Sequence, residues 1–215
     1  GKADIVRCLG MLPRELANYY PDRPLSLRGS FNGNLRRVEI SDFGIDMPLA
    51  FSAAAKGYAL NPADVDRMKA QMAVKANFGD VNFILDILSP GLRKSFRIPK
   101  GIVLGGRLSA DCQKYGVDMT MTEGTGRVSV GGSYNASSDA YSAKLDVKAL
   151  DLRHFMPRDS LKLFSGDVSV NGQGFAFLSP KTRLKAVANV TQLGYGHLNI
   201  DNVKATALLE KGVAH

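Results

Sequence analysis

The chain of 215 residues carries 28 Lys and Arg against 20 Asp and Glu, a formal net charge of +8, and is 45% hydrophobic with 22 glycines and no tryptophan. That length suits one large all-β unit or two smaller domains, and no stretch approaches the roughly 20 apolar residues of a membrane helix. Two cysteines and three histidines are too few for a disulfide scaffold or a zinc module.

Residues 4–20 place Ile5, Val6, Leu9, Leu12 and Leu16 three and four apart, which predicts a short amphipathic helix weakened by Gly10 and Pro13. Pro21 and Pro24 then impose extended backbone, and from Leu25 the apolar period is two. Val38 and Ile40 predict a short strand, and Leu49, Phe51, Ala53 and Ala55 the next. After a turn at 61–66, Met68, Ala70, Met72, Val74, Ala76 and Phe78 oppose Lys69, Gln71, Lys75 and Asn77. Residues 83–88 predict a second short helix, ending near Pro90.

The clearest alternation lies in 102–149. One face takes Ile102, Leu104, Gly106, Leu108, Ala110 and Cys112, then Tyr115, Val117, Met119 and Met121. It continues with Val128, Val130 and Tyr134, then Tyr141, Ala143, Leu145, Val147 and Ala149. The other face takes Arg107, Ser109, Asp118, Ser129, Lys144 and Asp146. Strict alternation gives each strand one dry and one wet face, and the short Gly-, Asn- and Ser-rich connections predict an antiparallel meander. Beyond it, Asp151 predicts the cap of a single helical turn that Pro157 stops, and Gly172-Gln173-Gly174 predicts a bulge. Strands are predicted at 184–190, 198–200 and 203–209, with turns at 195–196 and 201–202.

Residues 4–34 and 81–111 align without a gap. Pro13 falls on Pro90, Leu25 on Ile102, Leu27 on Leu104, Gly29 on Gly106 and Phe31 on Leu108. A third copy begins near Leu150 with a shorter linker between Pro157 and Gly166. Three approximate repeats, 1–80, 81–150 and 151–215, are therefore expected within one β-rich segment, itself a piece of a longer chain.

Candidate chemistry is sparse. Gly124-Thr125-Gly126 and Gly172-Gln173-Gly174 lack the Lys-Ser/Thr pair and following helix of a phosphate loop, so turn and bulge roles are expected. His154 has Asp151 nearby but no nucleophile, and Asp42, Asp46, Asp64 and Asp66 lack the dense carboxylate loop that calcium needs. The expected protein is not an enzyme and takes no cofactor or metal. Lys and Arg are scattered at alternate positions, the pattern of a solvated sheet face, and aromatic residues lie on the opposite face, which argues against nucleic acid. Cys8 and Cys112 both fall on apolar parity and are expected to be free thiols. What remains is the apolar face itself, with Met68, Met72, Val74, Leu104, Leu108, Val117, Met119, Met121, Val128, Val130, Leu145 and Val147 as its candidate lining. Period alone does not separate a closed core from an open groove.

Several of these features carry a resemblance. Asp151, Leu152, Phe155 and Pro157, then Gly166, Val168, Val170, Gly172 and Gly174, then Ser179-Pro180 and the turn from Leu193 to Gly196, resemble the repeat punctuation of the TamB/AsmA-like family of Gram-negative cell-envelope proteins, in its Bacteroidetes-type form. The resemblance covers most of residues 24–211 and includes no catalytic motif. It implies an all-β, mainly antiparallel, folded-over sheet (a β-taco or open groove) with an apolar interior, in a long periplasmic protein anchored in the inner membrane. It also implies phospholipid acyl chains as cargo and an outer-membrane assembly protein of the BamA/TamA type as a partner. An extracytoplasmic module for a glycan or protein partner, or a plain spacer, is the alternative.

Overall fold

The computed structural model describes residues 23–87, 90–175, 182–210 and 213–214. The predicted helix at 4–20 and Cys8 lie outside them. The described chain is one open sheet of 13 strands in sequence order, except that the short eleventh and the twelfth strand both pair with the tenth. The strands are β1 (Ser26–Asn34), β2 (Arg37–Met47), β3 (Phe51–Leu60), β4 (Lys69–Phe78), β5 (Ile102–Asp111), β6 (Lys114–Glu123) and β7 (Gly126–Asn135). They continue with β8 (Ala140–Asp151), β9 (Leu161–Gln173), β10 (Arg183–Tyr195), β11 (Leu198–Ile200), β12 (Val203–Glu210) and β13 (Val213–Ala214). Every pairing is antiparallel. β1 pairs only with β2, so the sheet does not close into a barrel.

Two segments interrupt the meander. The first follows β4 and holds a 3₁₀ turn (Asn82–Ile87) and the short helix α1 (Pro90–Ser95). The helical turn expected at 83–88 is there, and Pro90 opens α1, where its missing N–H costs nothing. The second follows β8 and is a single 3₁₀ turn (Leu152–His154), capped as expected by the Asp151 carboxylate accepting from the Arg153 N–H. Both sit at the same edge of the sheet, where the Arg97 N–H donates to the Phe155 carbonyl at 2.7 Å. Asn82 ties the first segment across itself: its amide accepts from the Ile98 N–H at 2.8 Å and donates to the Ile98 carbonyl at 3.0 Å. The core lies under this edge, where Met47, Ala50 and Val81 are buried and Leu25, Phe51, Phe78, Phe83 and Ile98 pack on them.

The structure corrects five local expectations. The short strand at Val38 and Ile40 is instead the 11-residue β2, because a bulge between Ile40 and Phe43 breaks the alternation without ending the strand. Leu49 is not in a strand; it occupies a left-handed turn at φ 66° and is 83% exposed. Met68 precedes β4, and its carbonyl accepts from the Cys112 N–H at 2.7 Å. Cys112 likewise follows β5, in a turn at φ 55°, and is a free thiol. No bulge occurs at Gly172-Gln173-Gly174: β9 pairs in register through Gln173, its last residue, and its register shifts lie opposite Val190 to Tyr195 on β10 and Val147 to Leu150 on β8.

Candidate functional site

Register converts alternation into a surface. Directly paired residues of antiparallel strands share a face, so the pairings trace rows across the sheet. One row reads Phe43, Ala55, Val74, Gly106, Met119, Val130, Leu145, Val168, Ala188 and Ala205. A second holds Leu104, Met121, Val128 and Val147, flanked by Ile45, Ala53 and Ala76 on one side and Val190 and Val203 on the other. A third holds Met72, Leu108 and Val117, between Ile40 and Ala143. Eleven of the twelve candidate lining residues therefore stand on one face, in three adjacent rows; only Met68 falls outside the strands. The rows cross eleven strands from β1 to β12, a span of about 48 Å at the usual strand spacing. That exceeds the roughly 30 Å of a bilayer's hydrocarbon core.

The face is neither a dry core nor fully open. Val147 is 6% exposed, Leu108 is 41% exposed, and the other nine in-row candidates are half-buried. Its wells come from glycines roofed by neighbours: a Cβ on Gly106 would lie 2.6 Å from the Met119 sulfur, and one on Gly172 would lie 2.5 Å from the Tyr141 ring. At the hairpin end of the face a fourth row carries Tyr115, Tyr134 and Tyr141 side by side. Tyr115 and Tyr134 stack at 6.3 Å, and Phe175 stacks on Tyr141 at 4.9 Å. The Tyr134 hydroxyl donates to Asp139 at 2.9 Å, which holds the phenol above its ordinary value.

At the opposite, linker edge the apolar face carries a buried carboxyl group. Glu123 is 7% exposed and is hydrogen-bonded to His154 Nδ1 at 2.8 Å. His154, which in the sequence has Asp151 nearby but no nucleophile, thus holds the second interruption against β6. Beside it the Asp151 carboxylate accepts from Arg153 Nε at 2.8 Å, and Arg153 pulls its pKa down to about 2.

The other face is polar, with exposed pairs such as Lys69–Asp111 at 3.0 Å and Arg28–Asp42 at 3.0 Å. Pairs this exposed add little to stability. Among the described residues no group of three or more His, Cys, Asp or Glu could hold a metal, and no helix is long and apolar enough to cross a membrane. The aromatic row and the contributions of β2, β3, β9 and β10 were not among the sequence candidates, although the same period of two marks them. In comparisons with known proteins, no protein family, no curated protein and no solved structure matches the chain.

Proposed function

We propose that this chain is a periplasmic segment of a TamB/AsmA-like cell-envelope protein whose apolar face receives phospholipid acyl chains in transit between the inner and outer membranes. The observation that supports this reading is the register that keeps apolar residues and glycines on one face across eleven strands, half-buried in its middle. Each methylene covered there is worth about 0.8 kcal/mol, so diacyl lipids can be held without a headgroup site and released along the strip. The tyrosine row suits the margin of such a strip, where amphipathic rings lie between apolar and wet surroundings. On this proposal the full-length protein is anchored in the inner membrane, works with an outer-membrane assembly protein of the BamA/TamA type, and performs no catalytic step.

Photocrosslinking in cells tests it. A photoreactive residue at position 119, in the middle of the strip, should yield lipid adducts, whereas one at position 120, on the polar face, should not. Only intramolecular products from position 119 would refute the conduit and leave a structural spacer.

A further inference from the structure

A cavity of about 700 Å³ lies among the polar side chains of β2 to β6, and the third apolar row, with Ile40, Met72, Leu108 and Val117, also borders it. Arg37 fixes the side: it pairs with Leu60 in the polar rows, and its guanidinium sits 5.5 Å above the Tyr58 ring. One wall is the row Lys56, Ala73, Arg107 and Asp118; the other carries Tyr58, Gln71 and Ser109. The trough exists because Ala73, in the middle of β4, and Gly116, on β6, are small where their neighbours are long.

Its charges are unequally satisfied. Glu39 neutralises Arg37 through contacts of 2.8 and 3.1 Å. Lys56 and Arg107 form no ion pair among the described residues. Ala73 separates them in register, so their backbones are about 10 Å apart, two strand spacings. Asp118 pairs in register with Arg107 but makes no ion pair with it.

We propose that this trough binds an acidic oligosaccharide. Its volume is within the roughly 300–1,000 Å³ of small-molecule sites, and from β2 to β6 it runs about 19 Å at the usual strand spacing, longer than a single anion requires. Lys56 and Arg107 receive the carboxylate or phosphate groups of the ligand. Gln71, Ser109 and the Asp118 carboxylate meet its hydroxyls. The Tyr58 ring, held by Arg37, offers apolar surface to a sugar ring. A single-stranded nucleic acid would need a ring for each successive base, and the trough has one. Lys56, Tyr58 and Arg107 stand on the face opposite to the apolar rows in register, so the proposal does not depend on the acyl-chain reading.

The test titrates the whole chain with a uronic-acid tetrasaccharide by calorimetry. A neutral tetrasaccharide, inorganic phosphate and vesicles containing an anionic phospholipid run in parallel. The acidic tetrasaccharide should bind at least tenfold more tightly than the neutral one. The double variant Lys56→Gln/Arg107→Gln should weaken it at least tenfold, and Ala73→Phe, which fills the trough without changing charge, should do the same. Lys204→Gln, a cation on the same face at β12, should leave binding unchanged, and circular dichroism should show each variant folded. Equal binding of neutral and acidic sugars, phosphate binding as tightly as the tetrasaccharide, or no response to Ala73→Phe would overturn the proposal. So would vesicle binding that depends on Lys56 and Arg107 while the tetrasaccharide does not bind.

Discussion

Met119→Asp separates an open apolar face from a dry core. Met119 lies mid-strip, between Gly106 and Val130 in register, and is half-buried. Full burial of a methionine is worth about 1.5–3 kcal/mol, so a half-buried one forfeits about 1 kcal/mol on replacement. The new carboxylate can turn to water on an open face, which keeps its desolvation penalty near 1 kcal/mol. The sum, about 2 kcal/mol, is close to a 30-fold change in the folding equilibrium. Urea unfolding followed by circular dichroism should show a lower midpoint with an unchanged slope, while Met119→Leu should stay within about 1.5 kcal/mol of the parent. A loss above about 4 kcal/mol, or an unfolded chain, would place Met119 in an enclosed interior and refute the open face. A loss below about 0.5 kcal/mol, the scale of inert surface changes, would equally refute its packing in the strip.

Three further outcomes follow from local geometry. Adjacent glycines should respond oppositely to alanine: a Cβ on Gly106 would run into the Asp118 carbonyl oxygen, whereas one on Gly105 has nothing nearer than 3.8 Å. Gly106→Ala should therefore cost about 1–3 kcal/mol, and Gly105→Ala should be neutral or stabilising by up to about 1 kcal/mol in the same unfolding assay. His154→Ala should cost about 1–3 kcal/mol by orphaning the buried Glu123 carboxylate, and Glu123→Leu, which removes the polar group, should restore part of that loss in the double variant. The depressed Asp151 pKa, about 2 against 3.8, means that its ionised form is favoured on folding. Its stabilisation is thus complete above about pH 4 and lost as pH falls through about 2. The stability difference between parent and Asp151→Asn should be flat above about pH 4, fall between about pH 4 and 2, and level off below about pH 2.

The meander of 102–149 was legible because its strands alternate with short turns and the observed strand ends fall within two residues of those expected; the one break is at the end of β8, where Ala149, expected on the apolar face, sits at φ 48° in a bulge between Val147 and Leu150 and is exposed. Legibility failed where backbone geometry overrode parity. The bulge in β2 made an 11-residue strand read as a short one, and left-handed turns at Leu49 and Cys112 took apolar residues out of strands that parity had extended over them. The apolar face was legible as a set of residues, since period two assigns sides. Its openness was not, because half-burial depends on what packs against the middle of the sheet, which period does not encode. The polar trough was not legible at all: it arises from Ala73 and Gly116 falling beside Lys56 and Arg107, which only the register of four strands sets.

The even strand number between interruptions explains how the two faces stay separate. Four strands, β1 to β4 and then β5 to β8, lie before each interruption, so the chain returns to the same edge each time. Equivalent positions of the first two repeats then share a row: Gly29 with Gly106, Leu27 with Leu104, and Phe31 with Leu108. A slip of one residue in any strand would turn its apolar set to the wet face; an extra residue in an edge segment is absorbed before the next strand begins. The second segment is shorter than the first, and Gly166 accordingly falls one row away from Gly29 and Gly106, beside Val147, with the faces unchanged. Burial is concentrated under that same edge, at Met47, Ala50 and Val81, so the fold can be held there while the strip beyond it keeps its half-exposed side chains.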